Sequence, residues 1–266
     1  IGCVVTEWGG ADGKEMAPFY LRPARMMNIP TIAIPHGYHT WFNDDFNSAT
    51  VESLRNTGKL PQFPNRNKYS AYVVQSNNIK RYCIASGILE ENISVLGSAR
   101  FCREWSNINY ALCTNYQAEK NDLRGIIVVF FLNHWTYNVN RESCLSLIRK
   151  IAQEQGTQLV IKGHTRGKYS GGLSPIEEQS LGEFESITFA DDGLHSPLLV
   201  SMANAVIVYG SSICFEALRQ HIPVCRPKYI CSNNTIFDGS GLVCEVECDD
   251  EVLEFIRDIE SHKTKF

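Results

Sequence analysis

The stretch Ala205-Val-Ile-Val-Tyr-Gly-Ser-Ser-Ile-Cys-Phe-Glu-Ala-Leu218 joins an apolar run to a Gly-Ser-Ser turn and then to a segment with helical spacing. The apolar run lacks strict alternation, which is typical of a strand covered on both faces of its sheet. A second apolar run, Pro223 to Arg226, follows the helical segment. A strand, a crossover helix and another strand form the βαβ unit of a parallel sheet, so this stretch predicts an α/β fold.

The same alternation continues along the rest of the chain. The predicted strands are Ile1 to Thr6, Thr31 to Ile34, Ala71 to Gln75, Ile93 to Leu96, Ile126 to Leu132, Thr157 to Lys162, Ile187 to Ala190, Ala205 to Tyr209, Pro223 to Arg226 and Leu242 to Val246. The predicted helices are Pro18 to Asn28, Asn77 to Ser86, Arg141 to Gln155, Pro197 to Ala203, Ser212 to Gln220 and Asp250 to His262. The polar residues 40–68 predict irregular structure, and the Gly- and Ser-rich residues 165–182 predict a mobile loop.

A polar stretch of mixed charge, residues 103–124, divides the pattern into two halves. We therefore expect an N-terminal α/β domain over residues 1–105, a linker over 106–124 and a C-terminal α/β domain over 125–266. Each domain is expected to carry its own parallel sheet, and the 266-residue length allows two small domains.

The composition excludes several classes of protein. Hydrophobic residues make up 44% of the chain and the formal net charge is −4, which indicates a globular protein and argues against a general nucleic-acid binder. The longest apolar run, Ile126 to Leu132, is far shorter than the ~18 residues of a membrane helix, and no signal peptide is visible. The ten cysteines include no CxxC motif, which favours reduced thiols and a cytoplasmic location.

Polar residues and glycines follow five of the predicted strands. The segments are Glu7-Trp-Gly-Gly10, His36-Gly-Tyr-His39, Asn133-His-Trp135, Gly163-His-Thr-Arg166 and Gly210-Ser-Ser212. In α/β sheets, ligands bind outside the carboxyl ends of the strands. We therefore expect the functional groups in these segments, which suit phosphate and hydroxyl chemistry.

Three basic or protonatable side chains, Lys162, His164 and Arg166, end one predicted strand. An imidazole and a guanidinium neutralise charge on a departing phosphate oxygen, so these residues are candidates for binding a diphosphate leaving group. The alternative is a solvated basic turn. No Cys or carboxylate lies at ligand spacing from His164, so we predict no metal site.

Ser211 and Ser212 open a predicted helix, where backbone N–H groups favour an anion. Either serine is equally an ordinary helix N-cap. Glu216 lies one turn into the same helix and is a candidate acceptor for the two hydroxyls of a ribose, or else an exposed helix acid.

His36 is the first candidate for a general base, because the pKa of an imidazole lies near working pH. The alternative is a structural histidine bonded to backbone. Glu7 is the second candidate. The chain contains no GxSxG, GxxxxGK[ST] or GxGxxG motif, which argues against a serine hydrolase, a P-loop NTPase and a dinucleotide enzyme.

Together these segments resemble the GT-B glycosyltransferases. The order of parts in the second half is similar: a strand ending in a basic His motif, the acidic Asp191-Asp192, and Gly-Ser-Ser, Glu-Ala-Leu and Pro-Val elements ending at Val224. In the first half, Ile29-Pro-Thr-Ile-Ala-Ile-Pro-His-Gly37 resembles the strand that carries the proposed base in CDP-glycerol glycerophosphotransferase-like and capsule polysaccharide transferases. Tyr72-Val-Val-Gln-Ser76 and Val95-Leu-Gly-Ser-Ala-Arg100 are similar to two further elements of that group.

The resemblance implies two Rossmann-like parallel-sheet domains that face a cleft, and a metal-independent enzyme without a cofactor. It implies a nucleotide-activated donor of the CMP, CDP or UDP type, and it adds Asn133 and Arg100 to the donor-binding candidates. The first half is shorter than the acceptor domain of that family, which implies a minimal domain or absent N-terminal residues. The chain departs from the pattern at His164-Thr165 and Tyr209-Gly210, which leaves the nucleotide and the transferred group open.

The leading hypothesis is a transferase that moves a sugar or polyol-phosphate group to a hydroxyl of a surface glycan or glycolipid. Such a protein is expected to contact the inner face of the membrane, and Trp41-Phe42 or the 165–182 loop would make that contact. One alternative is a nucleotide-sugar 2-epimerase, for which Glu7, Asp44, Asp45 and Asp191 supply carboxylates. Another is a non-catalytic nucleotide-sugar-binding subunit.

Overall fold

The computed structural model describes residues 2–8, 17–117, 125–164 and 172–261. The chain forms two compact units. Unit 1 comprises Ile1–His39 and Ala49–Asn107, and unit 2 comprises Thr40–Ser48 and Ile108–Phe266. Each unit contains a sheet of parallel strands with connecting helices, so the predicted α/β fold class is confirmed.

Unit 1 holds a four-stranded parallel sheet in the sequential order β1-β2-β3-β4. The strands are β1 (Val4–Glu7), β2 (Thr31–Ile34), β3 (Ala71–Val74) and β4 (Ile93–Val95). The helices are α1 (Ala17–Met26), α2 (Ser48–Thr57), which begins at the boundary with unit 2, and α3 (Asn77–Ala85). In the core of unit 1, Leu21 of α1 and Ile79 and Cys83 of α3 pack against one face of the sheet. The strands contribute Ala33 and Tyr72 to this core.

Unit 2 holds a six-stranded parallel sheet in the order β10-β9-β8-β5-β6-β7. The strands are β5 (Ile126–Phe131), β6 (Thr157–Lys162), β7 (Ile187–Phe189), β8 (Ala205–Ile207), β9 (Val224–Pro227) and β10 (Cys244–Val246). The helices are α4 (Arg103–Gln117), which starts in unit 1, α5 (Arg141–Ala152), α6 (Pro175–Leu181), α7 (Ser196–Met202), α8 (Ile213–Arg219) and α9 (Asp249–Ser261). Every residue of β5 is buried, as its unbroken apolar sequence predicts.

The strand order of unit 2 reverses direction at β5. The chain moves outward from β5 to β6 and β7, and then returns to place β8 on the other side of β5. Such a reversal leaves a crevice outside the carboxyl ends of the two strands where the order changes, and ligands bind there in open α/β sheets. In unit 2 this position lies after β5 and β8.

Two segments predicted as irregular contain helices. Residues 40–68 include α2, of which only Thr50 is buried, so its hydrophobic pattern is too weak to read from sequence. Residues 165–182 include α6, which begins with a capping box between Ser174 and Glu177. Residues 165–171 lie outside the described part of the chain.

The division into units differs from the predicted domain boundaries in two respects. Thr40–Ser48, which falls inside the predicted domain 1–105, packs with unit 2. The predicted linker 106–124 is helical through Gln117 in α4, and residues 118–124 lie outside the described part.

The side chain of Asn233 fastens the segment Thr40–Ser48 to unit 2. Its Nδ2 donates to the carbonyl oxygens of Phe46 (2.8 Å) and Tyr137 (3.2 Å). Its Oδ1 accepts from Asn43 Nδ2 (2.8 Å) and Asn138 Nδ2 (2.9 Å). Two donated and two accepted bonds use the full capacity of a carboxamide, and the side chain is only 1% exposed.

Replacing Asn233 by Ala is expected to lower the free energy of unfolding of unit 2 by about 3 kcal/mol, since it leaves buried amide and carbonyl groups without partners. Urea unfolding measures the change. The neighbouring exposed Asn234 offers the control, and Asn234→Ala should change stability by less than about 0.5 kcal/mol. Equal effects of the two substitutions would contradict this role for Asn233.

Candidate functional site

Asn133 ties together the two strand ends at the switch point of unit 2. Its backbone N–H donates to the hydroxyl of Tyr209 (2.9 Å), and its Nδ2 donates to the carbonyl of Gly210 (3.1 Å). Its Oδ1 accepts from the backbone N–H of His134 (2.9 Å). Asn133 is 6% exposed, so its polar groups serve the turn itself and set the position of His134.

The indole of Trp41 packs directly on Gly210. A Cβ atom at residue 210 would lie 1.5 Å from Trp41 Cη2, and φ of Gly210 is +150°. Only glycine fits there, because a side chain would collide with a buried ring. Thr40 Oγ1 also donates to the carbonyl of Gly210 (3.2 Å). Trp41 is only 4% exposed, so the expectation that Trp41 contacts a membrane is wrong. The neighbouring Phe42 is exposed.

Two histidines lie side by side after β5 and β6. The rings of His134 and His164 meet edge to face with 5.9 Å between their centres. His134 Nδ1 lies 2.6 Å from Thr136 Oγ1, which orients the ring. Burial lowers the pKa of His134, so this imidazole is mainly neutral at neutral pH. Neutral imidazoles at a strand end can donate a hydrogen bond to a phosphate or sugar oxygen.

The structure places Lys162 and His164, two of the three predicted basic residues, in different surroundings. Lys162 is 2% exposed, and its Nζ donates to the carbonyl of Asp191 inside unit 2. Burial lowers the pKa of Lys162, and the carboxylates of Asp192 and Asp191 act in the opposite direction. His164 is partly exposed, and Arg166 lies outside the described residues. Lys162 therefore supports the segment after β7. His164 is the basic residue of this group that stays accessible at the end of β6.

The Gly-Ser-Ser turn places its two serines differently from Glu216. Ser211 and Ser212 are partly exposed beside the Gly210 turn, and Ser211 Oγ accepts from the backbone N–H of Ile213 (3.4 Å). Glu216 is 8% exposed and faces the interior. Burial raises the pKa of the Cys214 thiol to about 12, and the Glu216 carboxylate adds to this effect. The serines are therefore accessible to a ligand, and Glu216 lies beneath them.

Unit 1 brings the two candidate bases together. Glu7 Oε1 lies 2.8 Å from His36 Nδ1, and each side chain is 53% exposed. They meet because β1 and β2 are neighbours in parallel register, with Glu7 opposite Ile34 at the end of β2. The turn after His36 is held by Gln75, whose Nε2 donates to the carbonyl of Gly37 (3.0 Å). A carboxylate on Nδ1 directs Nε2 toward a reacting group.

Arg100 belongs to unit 1, whereas every other predicted donor-binding residue belongs to unit 2. It lies in a short 3₁₀ helix over Ala99–Phe101, with its guanidinium 5.9 Å from the centre of the Phe101 ring. Arg100 is partly exposed.

Sequence reasoning missed Trp41, Asn233 and Gln75 as residues that shape the two strand-end regions. Their partners lie far away in sequence, for example Phe46 for Asn233 and Gly37 for Gln75. Local sequence motifs do not indicate such long-range contacts. The Gly-Ser-Ser turn after an apolar run does mark Gly210, the residue on which Trp41 packs.

Within the four described ranges, no helix has both the length and the apolar character that crossing a bilayer requires. Among the same residues, no group of three or more His, Cys, Asp or Glu is arranged to hold a metal ion. All ten cysteines fall in the described ranges, and each is a free thiol.

No protein-family model matches the chain, and no curated protein matches it. Solved structures do match. The UDP-GlcNAc 2-epimerase of Methanocaldococcus jannaschii, in complex with UDP-GlcNAc and UDP, aligns with a TM-score of 0.56 at 15% identity over 100% of this chain and 70% of that chain. The UDP-GlcNAc 2-epimerase of Neisseria meningitidis bound to UDP-GlcNAc gives 0.54 at 13% identity, over 98% and 68%.

The wall teichoic acid polymerase TagF gives a TM-score of 0.51 at 11% identity, over 88% of this chain and 58% of that chain. At these identities the likeness shows the fold alone. It confirms the GT-B-like fold class and does not single out the CDP-glycerol transferase group. The chain spans between about three fifths and seven tenths of the length of these structures.

The burial of His39, three residues after His36, makes the stability of unit 1 depend on pH. Desolvation lowers the pKa of His39 to about 4. The unfolded chain, with a pKa of about 6.5, binds this proton more readily, so the stabilisation is present above about pH 6.5 and is lost as pH falls toward 4.

When the pH is lowered from about 7 to about 5, protonation of His39 in the unfolded chain is expected to lower the free energy of unfolding by about 2 kcal/mol. In His39→Gln this part of the pH dependence should disappear. Urea unfolding at both pH values measures it, and the exposed His221→Asn variant, which keeps a residue tolerant of its positive φ, should behave as the unsubstituted protein does. An unchanged pH dependence in His39→Gln would exclude this assignment.

Proposed function

We propose that this protein binds a nucleotide-activated sugar or polyol phosphate and transfers the activated group to a hydroxyl acceptor. The groups proposed to bind the donor lie in unit 2, and the proposed general base lies in unit 1. The acceptor class is the hydroxyl of a glycan or glycolipid, in line with the resemblance to surface-polymer transferases. The donor is of the CMP, CDP or UDP type.

The observation that carries the proposal is the pair formed by Glu7 and His36 at the carboxyl edge of a parallel sheet. A histidine bonded to a carboxylate through one ring nitrogen removes a proton with the other, and the carboxylate stabilises the imidazolium that forms. Both side chains are half exposed, so an acceptor hydroxyl has access to them. The hydrogen bond from Gln75 to Gly37 holds the turn and limits the motion of His36.

Unit 2 offers the groups that a nucleotide donor requires. The switch point after β5 and β8 is where α/β sheets bind ligands, and it presents His134, Ser211 and Ser212 around the Gly210 turn. His164 lies against His134 and adds a second imidazole as a hydrogen-bonding group for phosphate oxygens. Two structures with the same fold contain UDP-GlcNAc, which supports the same ligand class here.

In the proposed reaction, His36 accepts the proton of the acceptor hydroxyl as the new bond to the donor carbon or phosphorus forms. Glu7 holds Nδ1 and balances the positive charge of the protonated ring. The bond to the leaving nucleotide breaks, and hydrogen bonds from His134, His164 and the serines stabilise the charge on its phosphate.

A nucleotide-sugar 2-epimerase is the second candidate, and two of the structures with this fold are such enzymes. The same Glu7–His36 pair would then remove a proton from carbon rather than from a hydroxyl. The two reactions differ in one requirement, because transfer consumes an acceptor and epimerisation does not.

Calorimetric titration with CMP, CDP, UDP and GDP tests the donor site. One of these nucleotides is expected to bind, and His164→Ala and Ser211→Ala should each weaken it by about tenfold, which is the loss of one hydrogen bond to a charged group. Glu216→Ala should also weaken binding if the carboxylate supports the ribose. His221→Asn, at the far end of α8, is the matched control.

Failure of every nucleotide to bind the unsubstituted protein would contradict the proposed donor class. Equal losses in His164→Ala and in the control would instead remove His164 from the site.

The base is tested by Glu7→Gln and His36→Gln. His36→Gln should lower kcat by 10²-fold or more, and Glu7→Gln by a smaller factor, with nucleotide affinity unchanged, because a general base contributes about 10²–10⁴-fold. The exposed Glu91→Gln in unit 1 is the control.

Nucleotide release is measured with and without a mixed glycan acceptor in D₂O. Release that depends on acceptor supports transfer, whereas deuterium at C2 without acceptor supports epimerisation.

A further inference from the structure

Two cysteines face each other across the outermost strand pair of unit 2. Cys225 in β9 is the register partner of Cys244 in β10, and the two strands are parallel. Register partners in neighbouring strands project from the same side of a sheet. Strands in a sheet lie about 4.7–4.9 Å apart, and disulfides form across Cα separations of about 4.4–6.8 Å. The backbone therefore already brings these two thiols to bonding range.

The two thiols share a hydrogen bond. The Cys225 thiol donates to the Cys244 sulfur, which lowers the pKa of Cys244 to about 7, although burial opposes this effect. The carboxylates of Glu251 and Asp258 in α9, and of Glu245 in β10, also oppose it. The same bond, together with burial, raises the pKa of Cys225. The pair therefore holds its negative charge on Cys244, which is partly exposed, and keeps Cys225 protonated in the interior.

Other buried cysteines of the chain have the opposite character. Burial raises the pKa of Cys83 to about 11, and it raises the pKa of Cys144 and of Cys214 to about 12. A protonated and buried thiol reacts slowly with oxidants, because the thiolate is the reactive form. The structure thus separates one reactive pair from the inert core cysteines.

We propose that Cys225 and Cys244 form a dithiol that hydroperoxides convert to a disulfide. The Cys244 sulfur attacks the O–O bond of the hydroperoxide, takes one oxygen to become a sulfenic acid, and releases an alcohol or water. The Cys225 sulfur then attacks the Cys244 sulfur, the S–S bond forms, and the hydroxyl leaves with the Cys225 proton as water. The two thiols lose two electrons, and the hydroperoxide gains them.

The disulfide would close a covalent loop from Cys225 in β9 to Cys244 in β10. Arg226 and Asn233 lie within this loop, and Arg226 Nη2 donates to the carbonyl of Asn233 (2.7 Å). Arg226 Nη1 also lies 3.0 Å from Asp238 Oδ1. Asn233 in turn holds the segment Thr40–Ser48, whose Trp41 packs on Gly210. Oxidation would therefore constrain the loop that supports the strand-end region of unit 2.

The test is a map of the disulfides in the full chain. The reduced protein is treated with one equivalent of hydrogen peroxide at neutral pH, its remaining thiols are alkylated, and it is digested without reduction. Cleavage after Lys228, Asp238 and Glu245 separates Cys225 from Cys231, and Cys244 from both Cys231 and Cys248. We expect a Cys225–Cys244 cross-linked peptide to form at least about tenfold faster than the buried Cys83 and Cys144 are oxidised, because a thiol with a pKa near 7 is about half thiolate at neutral pH and burial raises the pKa of the other two.

Variants separate the two steps. In Cys225→Ala, Cys244 loses both its hydrogen-bond donor and the resolving thiol, so its sulfenic acid should form more slowly and be trapped by dimedone. In Cys244→Ser, Cys225 should stay reduced. Cys248→Ser is the control and should still form the cross-link. A Cys244–Cys248 cross-link, the absence of any cross-link at Cys225, or oxidation of Cys244 no faster than that of Cys83 would each overturn the proposal. The map requires no variant and no enzymatic activity.

Discussion

Four hydrogen bonds of one buried carboxamide, that of Asn233, hold the carboxyl edge of unit 2 together. The amide spans two loops that are far from it in sequence, at Phe46 and Tyr137, and every polar atom of its side chain is used. A buried amide with a lost partner is costly, so these loops have one stable arrangement. The remaining features of this edge, above all the position of Trp41, depend on that arrangement.

Two buried polar residues at the strand ends bond to the scaffold. Asn133 joins the ends of β5 and β8, and Lys162 supports the segment after β7. This division follows from burial, because a polar group in the interior must find its partner inside the protein. The groups that remain accessible are His134, His164 and the two serines, and they are the ones the proposed function uses.

Parallel register is the common origin of the Glu7–His36 pair and the Cys225–Cys244 pair. Glu7 and His36 meet because β1 and β2 are neighbours that end together, and Cys225 and Cys244 meet because β9 and β10 are paired in register. In each case about twenty to thirty residues, including a crossover, separate the partners, as parallel strands require. A carboxylate–imidazole pair and a thiol pair thus arise from the same geometric rule in different units.

Apolar runs and turn residues are local signals, so the α/β class and the ten strands of the described residues could be predicted from the sequence to within a few residues. The same signals placed Glu7 and His36 at strand ends. The pairing of these two residues, the packing of Thr40–Ser48 with unit 2 and the burial of Lys162 became visible only in the folded chain. The reason is physical, since strand order and burial depend on contacts between residues far apart in the chain, and no local pattern records them.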